Sequence, residues 1–148
     1  LKKGINIQQV KKLGNRQNSD KKILIAEDSP LLRKLLYDTL SEAGFKYLEF
    51  YENGLVAINY LENLIASGKV VEEEVQLVIT DIEMPQMDGH HLTRRIKESG
   101  ELAVLPVIIF SSLITDSLRH KGQVVGADAQ ISKPEIAELI NLIDRFAL

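Results

Sequence analysis

The sequence predicts an α/β doubly wound fold, a five-stranded parallel sheet with helices on both faces. Three observations predict it: short apolar runs rich in β-branched residues alternate with stretches of helical periodicity, a polar turn follows each run, and the alternation is sustained from Lys22 to Phe146. Strands joined through helices require crossover connections, which makes the sheet mainly parallel and buries both of its faces.

The first strand is KILIA, Lys22 to Ala26, stopped by the turn EDSP. Pro30 stands at a helix start with Ser29 as its cap. Leu31, Leu32, Leu35, Leu36 and Leu40 follow at helical spacing, and Gly44 ends the helix. Tyr47 to Tyr51 reads as the second strand. Gly54 to Ala66 reads as a helix with Val56, Ala57, Tyr60, Leu61 and Leu64 on one face. Glu72 to Glu74 is a charge run expected in a loop with a solvated face. Gln76 to Thr80 (QLVIT) is the third strand, and a helix follows near Gly89 to Ser99. Pro106 to Phe110 (PVIIF) is the fourth, before a weaker helix over Thr115 to Val124. Ala127 to Ser132 is the fifth, and Glu135 to Phe146 a last helix with Ile136, Leu139, Ile140 and Ile143 inward.

A chain of 148 residues, 45% hydrophobic and 26% charged, has room for one sizeable core and a short appendage. Residues 1–20 are polar and carry five basic side chains against Asp20, a balance of +4, which leaves −7 on the remainder of a chain at −3 overall. We read residues 1–20 as a linker or the end of a preceding domain, and residues 21–148 as the folded domain. The acidic body argues against direct nucleic-acid binding, which rests on Lys and Arg neutralising phosphates. Cysteine is absent, so disulfides and zinc–thiolate sites are excluded. No apolar run approaches the roughly 20 residues that span a bilayer. With no signal-peptide pattern either, the expected setting is cytoplasmic, without membrane insertion. Leu1 in place of an initiator Met suggests a piece of something longer.

Ligands of doubly wound sheets bind beyond the carboxyl ends of the strands. The residues found there are Glu27 and Asp28, then Asp81, Ser111 and Lys133. Taken singly each has a bland reading: a polar turn, a helix cap, a loop lysine. Asp81 is the least bland, because a carboxylate ending a buried strand needs a partner. Together they put three carboxylates, a hydroxyl and an ammonium face to face. Clustered carboxylates repel, and a divalent cation relieves that repulsion. An all-oxygen donor set favours Mg²⁺, which takes one or two carboxylates together with phosphate oxygens. In this reading Asp81 is the nucleophile that forms an acyl phosphate, Asp28 binds the metal and Glu27 orients it. Lys133 and Ser111 meet the charge on the transferring group. His90 and His91 are adjacent, cannot chelate together on a helix, and are expected at the surface.

The segments ILIAEDS, VITDIEMPQMDG, PVIIFSS and ADAQISKP, in this order, resemble the response-regulator receiver domain from about Lys21 onward. The resemblance implies the CheY-like strand order 2-1-3-4-5 and a phosphoacceptor at Asp81. It further implies an acidic metal pair at Glu27 and Asp28, a metal ligand from the backbone carbonyl of Glu83, and a cis bond before Pro134. It implies a histidine kinase as phosphodonor and a domain that modifies itself rather than a turnover enzyme. Many receivers carry an aromatic residue three positions before the lysine; here it is Gln130. The stretch around Ile65 to Glu74 is also longer than usual. Within the family, the run FSSLITDSLRHKGQVVGADAQISKPEI is similar to the receivers of chemotaxis coupling proteins. In those proteins the receiver follows a CheW-like domain that links a CheA-type kinase to chemoreceptors. The alternatives are the receiver of a transcriptional response regulator, an Mg²⁺-dependent aspartyl-phosphate phosphatase, and a phosphorylation-independent docking domain. The phosphatases place their nucleophile in a D-x-D motif after the first strand, whereas here Asp81-Ile82-Glu83 follows the third.

Overall fold

A computed structural model describes residues 20–112, 114–133 and 135–148. The elements along the chain are β1 (Lys22–Ala26), α1 (Pro30–Glu42), β2 (Tyr47–Tyr51), α2 (Gly54–Ala66), α3 (Val71–Glu74), β3 (Leu77–Thr80), α4 (Gly89–Glu98), β4 (Val107–Ser111), α5 (Asp116–Val124), β5 (Ala129–Ser132) and α6 (Ile136–Phe146). The expected linker over residues 1–20 lies, apart from Asp20, outside the described residues, and so does Pro134.

The five strands pair in the order β2-β1-β3-β4-β5, every pair parallel, as the sequence led us to expect. Successive side chains of a strand point to opposite faces, so a central strand such as β1 serves two cores. Ile23 and Ile25 of β1 join Leu36 and Leu40 of α1 and Leu139 and Ile140 of α6 in one buried cluster. Leu24 and Ala26 join Ala57, Ile58 and Leu61 of α2 and Leu92 and Ile96 of α4 in the other. The chain runs from β1 out to β2 and then returns past β1 to β3, which makes the carboxyl ends of β1 and β3 the switch point of the sheet.

Two helices bury a different stripe from the expected one. On α1, Leu36 and Leu40 are buried, but Leu31 is 77% exposed and Leu35 is exposed as well. On α2, Ile58 is buried in place of Val56. Asn53 caps α2 through its side-chain oxygen, which accepts from Val56 N–H at 2.9 Å, and this sets the rotation of the helix. The acidic run Glu72 to Glu74 forms the single turn α3 instead of a loop. Val71 and Val75, both buried, anchor the turn, while Glu72 and Glu73 remain exposed as expected.

The two sides of this burial pattern are separable by truncation. Ile140→Ala should cost about 2–5 kcal/mol of unfolding free energy, whereas Leu31→Ala should stay within roughly 0.5 kcal/mol of wild type. Urea denaturation of both variants checks this, and a costly Leu31→Ala would place that side chain in a contact the structure lacks.

Candidate functional site

The switch point gathers its side chains by continuing the ladders of the sheet. Just past β1, Glu27 N–H donates to the Tyr51 carbonyl at 2.9 Å, and just past β3, Asp81 N–H donates to the Ala26 carbonyl at 3.0 Å. Glu27 is only 2% exposed. Its side chain accepts from Ser29 N–H at 3.1 Å, and its carbonyl accepts from the Arg33 guanidinium at 2.7 Å. Ser29 caps α1 by accepting from Leu32 N–H at 3.2 Å. The turn EDSP therefore does two jobs, starting a helix and orienting a carboxylate. Asp28 beside it is exposed. Asp81 Oδ1 accepts from Ile82 N–H at 2.7 Å, and the Asp81 carbonyl accepts from the Thr80 hydroxyl at 2.8 Å.

One carboxylate oxygen each from Glu27, Asp28 and Asp81 lie within 4.8 Å of one another. Lys133, with its side chain 9% exposed, reaches in from the end of β5. Its Nζ is 2.8 Å from Glu27 Oε1 and 3.4 Å from Asp81 Oδ2. Two carboxylates at such a separation repel by about 3 kcal/mol at an effective dielectric constant of roughly 20. Three carboxylates against one ammonium leave a negative excess that Lys133 alone does not cancel. Burial raises the Glu27 carboxyl above its ordinary 4.5, and the charge of Asp81 pushes the same way; the Lys133 hydrogen bond opposes them. The donor set is oxygen only and faces an open cleft of about 730 Å³, so it fits a hard divalent cation.

Glu83 is exposed and lines this cleft. Ser111 ends β4 and is buried, opposite Ser132 in the register of β5, and its carbonyl accepts from Lys133 N–H at 3.0 Å. Glu27, Asp28, Asp81 and Lys133 are thus brought into direct proximity, with Ser111 at a neighbouring strand end. Gly89 plays a part that spacing alone does not show. Its N–H donates to the Ile82 carbonyl at 2.8 Å, and a Cβ there would collide with the Asp81 carbonyl. Only glycine lets α4 start against the loop that carries Asp81.

His90 corrects an expectation. It is not at the surface but 2% exposed, with Nε2 lacking a hydrogen-bond partner among the described residues; His91 is exposed as expected. The physical reason is the cap: Asp88 accepts from His91 N–H at 2.8 Å and fixes the rotation of α4. That rotation sends His90 inward between the cleft and α5 and leaves its neighbour in solvent. Burial lowers the His90 pKa from 6.5, and the Lys121 charge adds to this; Asp88 and the backbone at Leu118 work in the other direction.

Residues 23–144 match the family described as the response regulator receiver domain. Chemotaxis protein CheV2 of Helicobacter pylori is 36% identical over 127 residues, covering 86% of this chain and 39% of that protein. The chain therefore spans well under half the length of this relative. Among solved structures, the signal receiver domain of a signal transduction histidine kinase from Syntrophus aciditrophicus superposes with a TM-score of 0.69 at 30% identity, over 84% of this chain and 90% of that one. The receiver domain of the sensor histidine kinase PA1611 from Pseudomonas aeruginosa PAO1, solved with a magnesium ion in its active site cleft, gives a TM-score of 0.71 over 86% of this chain and 97% of that one. At 21% identity it speaks for the fold alone.

The raised Glu27 pKa carries a sign. A carboxyl raised in the folded state contributes stability below its unfolded value, and that contribution disappears as pH rises through the folded value. With a chelator present, wild type should therefore lose stability relative to Glu27→Gln as pH climbs from 4.5 through the range just above it. Thermal melts of both proteins across that range check the direction. A difference that stays flat would mean Glu27 titrates normally.

Proposed function

The chain belongs to the response regulator receiver domain family, and from that premise we propose that it accepts a phosphoryl group on Asp81 from a phosphohistidine of a histidine kinase, with Mg²⁺ as cofactor. The observation that carries this reading is the acidic triad within 4.8 Å, with Lys133 against two of its members. An Asp81 carboxylate oxygen attacks phosphorus as the P–N bond to the kinase imidazole breaks. The imidazole leaves with the electron pair of that bond, and Asp81 becomes an acyl phosphate. The transfer rests on positioning and on fixed charge more than on bond chemistry by the protein.

Each residue then has a defined task. The Ile82 N–H holds Asp81 Oδ1 in place, so the nucleophile is oriented before the donor arrives. Lys133 supplies an ammonium to the charge that spreads over the phosphoryl oxygens, and Ser111 supplies a hydroxyl to one of them. Asp28, Asp81 and the backbone carbonyl of Glu83 would hold Mg²⁺, with Glu27 orienting it through water. When bound, the cation supplies the positive charge that the triad lacks and draws phosphoryl oxygens to it. A magnesium ion in the cleft of the PA1611 receiver, which shares the fold, supports the choice of metal. The phosphoryl group stays on the domain that took it, so the product is an altered signalling surface and not a released compound.

The similarity to CheV2 supports a setting in chemotaxis. There residues 21–148 would be the receiver of a coupling protein and residues 1–20 its linker to a CheW-like domain, with a CheA-like kinase as donor and chemoreceptors reached through the coupling domain. No helix among the described residues is long and apolar enough to cross a membrane. A cytoplasmic location follows from the kinase partner that this reading requires.

Acetyl phosphate with Mg²⁺ should label wild type and leave Asp81→Asn unlabelled, as read by intact mass; a label that persists in the variant would move the nucleophile elsewhere. Lys133→Ala should keep the site intact but slow labelling by about a hundredfold or more. Stopped-time mass spectra give that rate, and labelling at the wild-type rate would remove Lys133 from the chemistry.

A further inference from the structure

A second cleft, of about 440 Å³, lies before the amino ends of β3 and β4, the far end of those strands from Asp81. The long connection between α2 and β3 forms one wall, and the segment that follows α4 forms the other. Ile65, Val70, Val71 and Val104 line it, with Glu72 and Glu101 among them. Val71 is buried and anchors its wall, but Val70 is 50% exposed and Val104 is 47% exposed. Apolar side chains gathered at a cleft and rimmed by charge mark an interaction site, as the same side chains scattered singly would not. Of the exposed charges on these two walls, Glu72, Glu73 and Glu101 are negative and Lys69 alone is positive. The cleft thus has an apolar floor and an acidic rim.

The start of β1 lies beside it. Lys22 N–H donates to Gln76 Oε1 at 2.6 Å, and Gln76 Nε2–H donates to the Glu72 carbonyl at 2.8 Å. One glutamine side chain therefore joins the start of β1 to the acidic wall. Lys22 Nζ also lies 3.8 Å from Glu74 Oε1. Residues 1–19, which precede this point, carry Lys2, Lys3, Lys11, Lys12 and Arg16 and no acidic residue. The two lysine pairs bracket Ile5, Ile7 and Val10, and Ile5 and Ile7 have the spacing of one face of an extended chain. An apolar centre with basic ends is the complement of an apolar floor with an acidic rim. From Lys12 to Asp20 the chain can span up to about 26 Å, far more than the single side chain between β1 and Glu72.

We propose that residues 2–12 dock in this cleft of their own chain, with Ile5 and Ile7 covering Val70 and Val104 and the lysine pairs facing Glu72 and Glu101. The inference stands apart from the reading of Asp81 as phosphoacceptor, because the cleft lies at the other end of the sheet. Docking there keeps the basic segment away from the acidic cleft of Asp81, where its lysines would compete with a cation. In the chemotaxis setting proposed above, the join to a coupling domain is then a fixed contact and not a free tether.

The absence of cysteine makes disulfide trapping specific. In the full chain, Ile7→Cys is combined with Val104→Cys and, as the reference, with Leu31→Cys. Leu31 is 77% exposed and stands at the start of α1, past the other end of β1 and on the opposite face of the sheet. With oxidised glutathione as oxidant, the pair at 7 and 104 should close within one chain about tenfold or more faster than the pair at 7 and 31. Non-reducing gels and intact mass give both rates. Adding Glu72→Lys and Glu101→Lys to the first pair should slow closure about threefold or more, and changing Lys2, Lys3, Lys11 and Lys12 to Glu as well should restore it. The Glu72 substitution keeps the backbone carbonyl that holds Gln76, so slower closure does not reflect a lost wall. Equal rates for the two pairs, or rates that the charge reversals do not slow and restore in turn, overturn the proposal. A disulfide that links two chains instead makes a second copy the occupant, and overturns it as well.

Discussion

The constraint on which the rest depends is a shortage of positive charge. Glu27, Asp28 and Asp81 are held close together at the end of a buried sheet, and Lys133 offers the one ammonium seated directly against Glu27 and Asp81 among the described residues. Backbone ladders impose this arrangement, since Glu27 and Asp81 are each tied to a neighbouring strand just beyond the last strand residue. The fold thus spends stability to keep like charges together. Natural proteins tolerate such local conflicts where function requires them. A hard divalent cation would relieve the conflict by neutralising the carboxylates, and under the proposed function a phosphoryl group would engage both that cation and Lys133.

Much of this was legible in the sequence because it follows from short-range chemistry. Apolar runs ending in Glu27–Asp28, Asp81, Ser111 and Lys133 identify strands, and the parallel topology forced by helical connections sends those ends to one edge of the sheet. Four helix starts carry side-chain caps, at Ser29, Asn53, Asp88 and Thr115, and of these the sequence reading used Ser29 before Pro30.

What was not legible depends on rotation and on contacts between distant segments. Periodicity proposes a stripe on α1 and α2, but the caps and the partner elements decide which edge of the stripe is buried. Leu31 and Val56 therefore sit in solvent while Ile58 does not. His90 goes inward for the same reason: the helix start near Gly89 was legible, but the side of α4 that the Asp88 cap turns toward the body was not. The acidic turn at Glu72 to Glu74 becomes helical because the valines on either side of it are buried in the core. Gln130 is the clearest case. Its identity marks a departure from the family pattern, but its bond to Arg119 and its seat on Gly122 exist only once β5 and α5 are packed together.

Calorimetric titration of Mg²⁺ into the wild-type chain and into Asp28→Asn, at neutral pH, tests the central claim most directly. The account predicts one Mg²⁺ site in wild type and a loss of affinity of about tenfold or more in the variant, because a ligand carboxylate has been neutralised. Equal binding by the two proteins, or no binding by wild type, would contradict it, since the acidic cluster would then be satisfied without a metal.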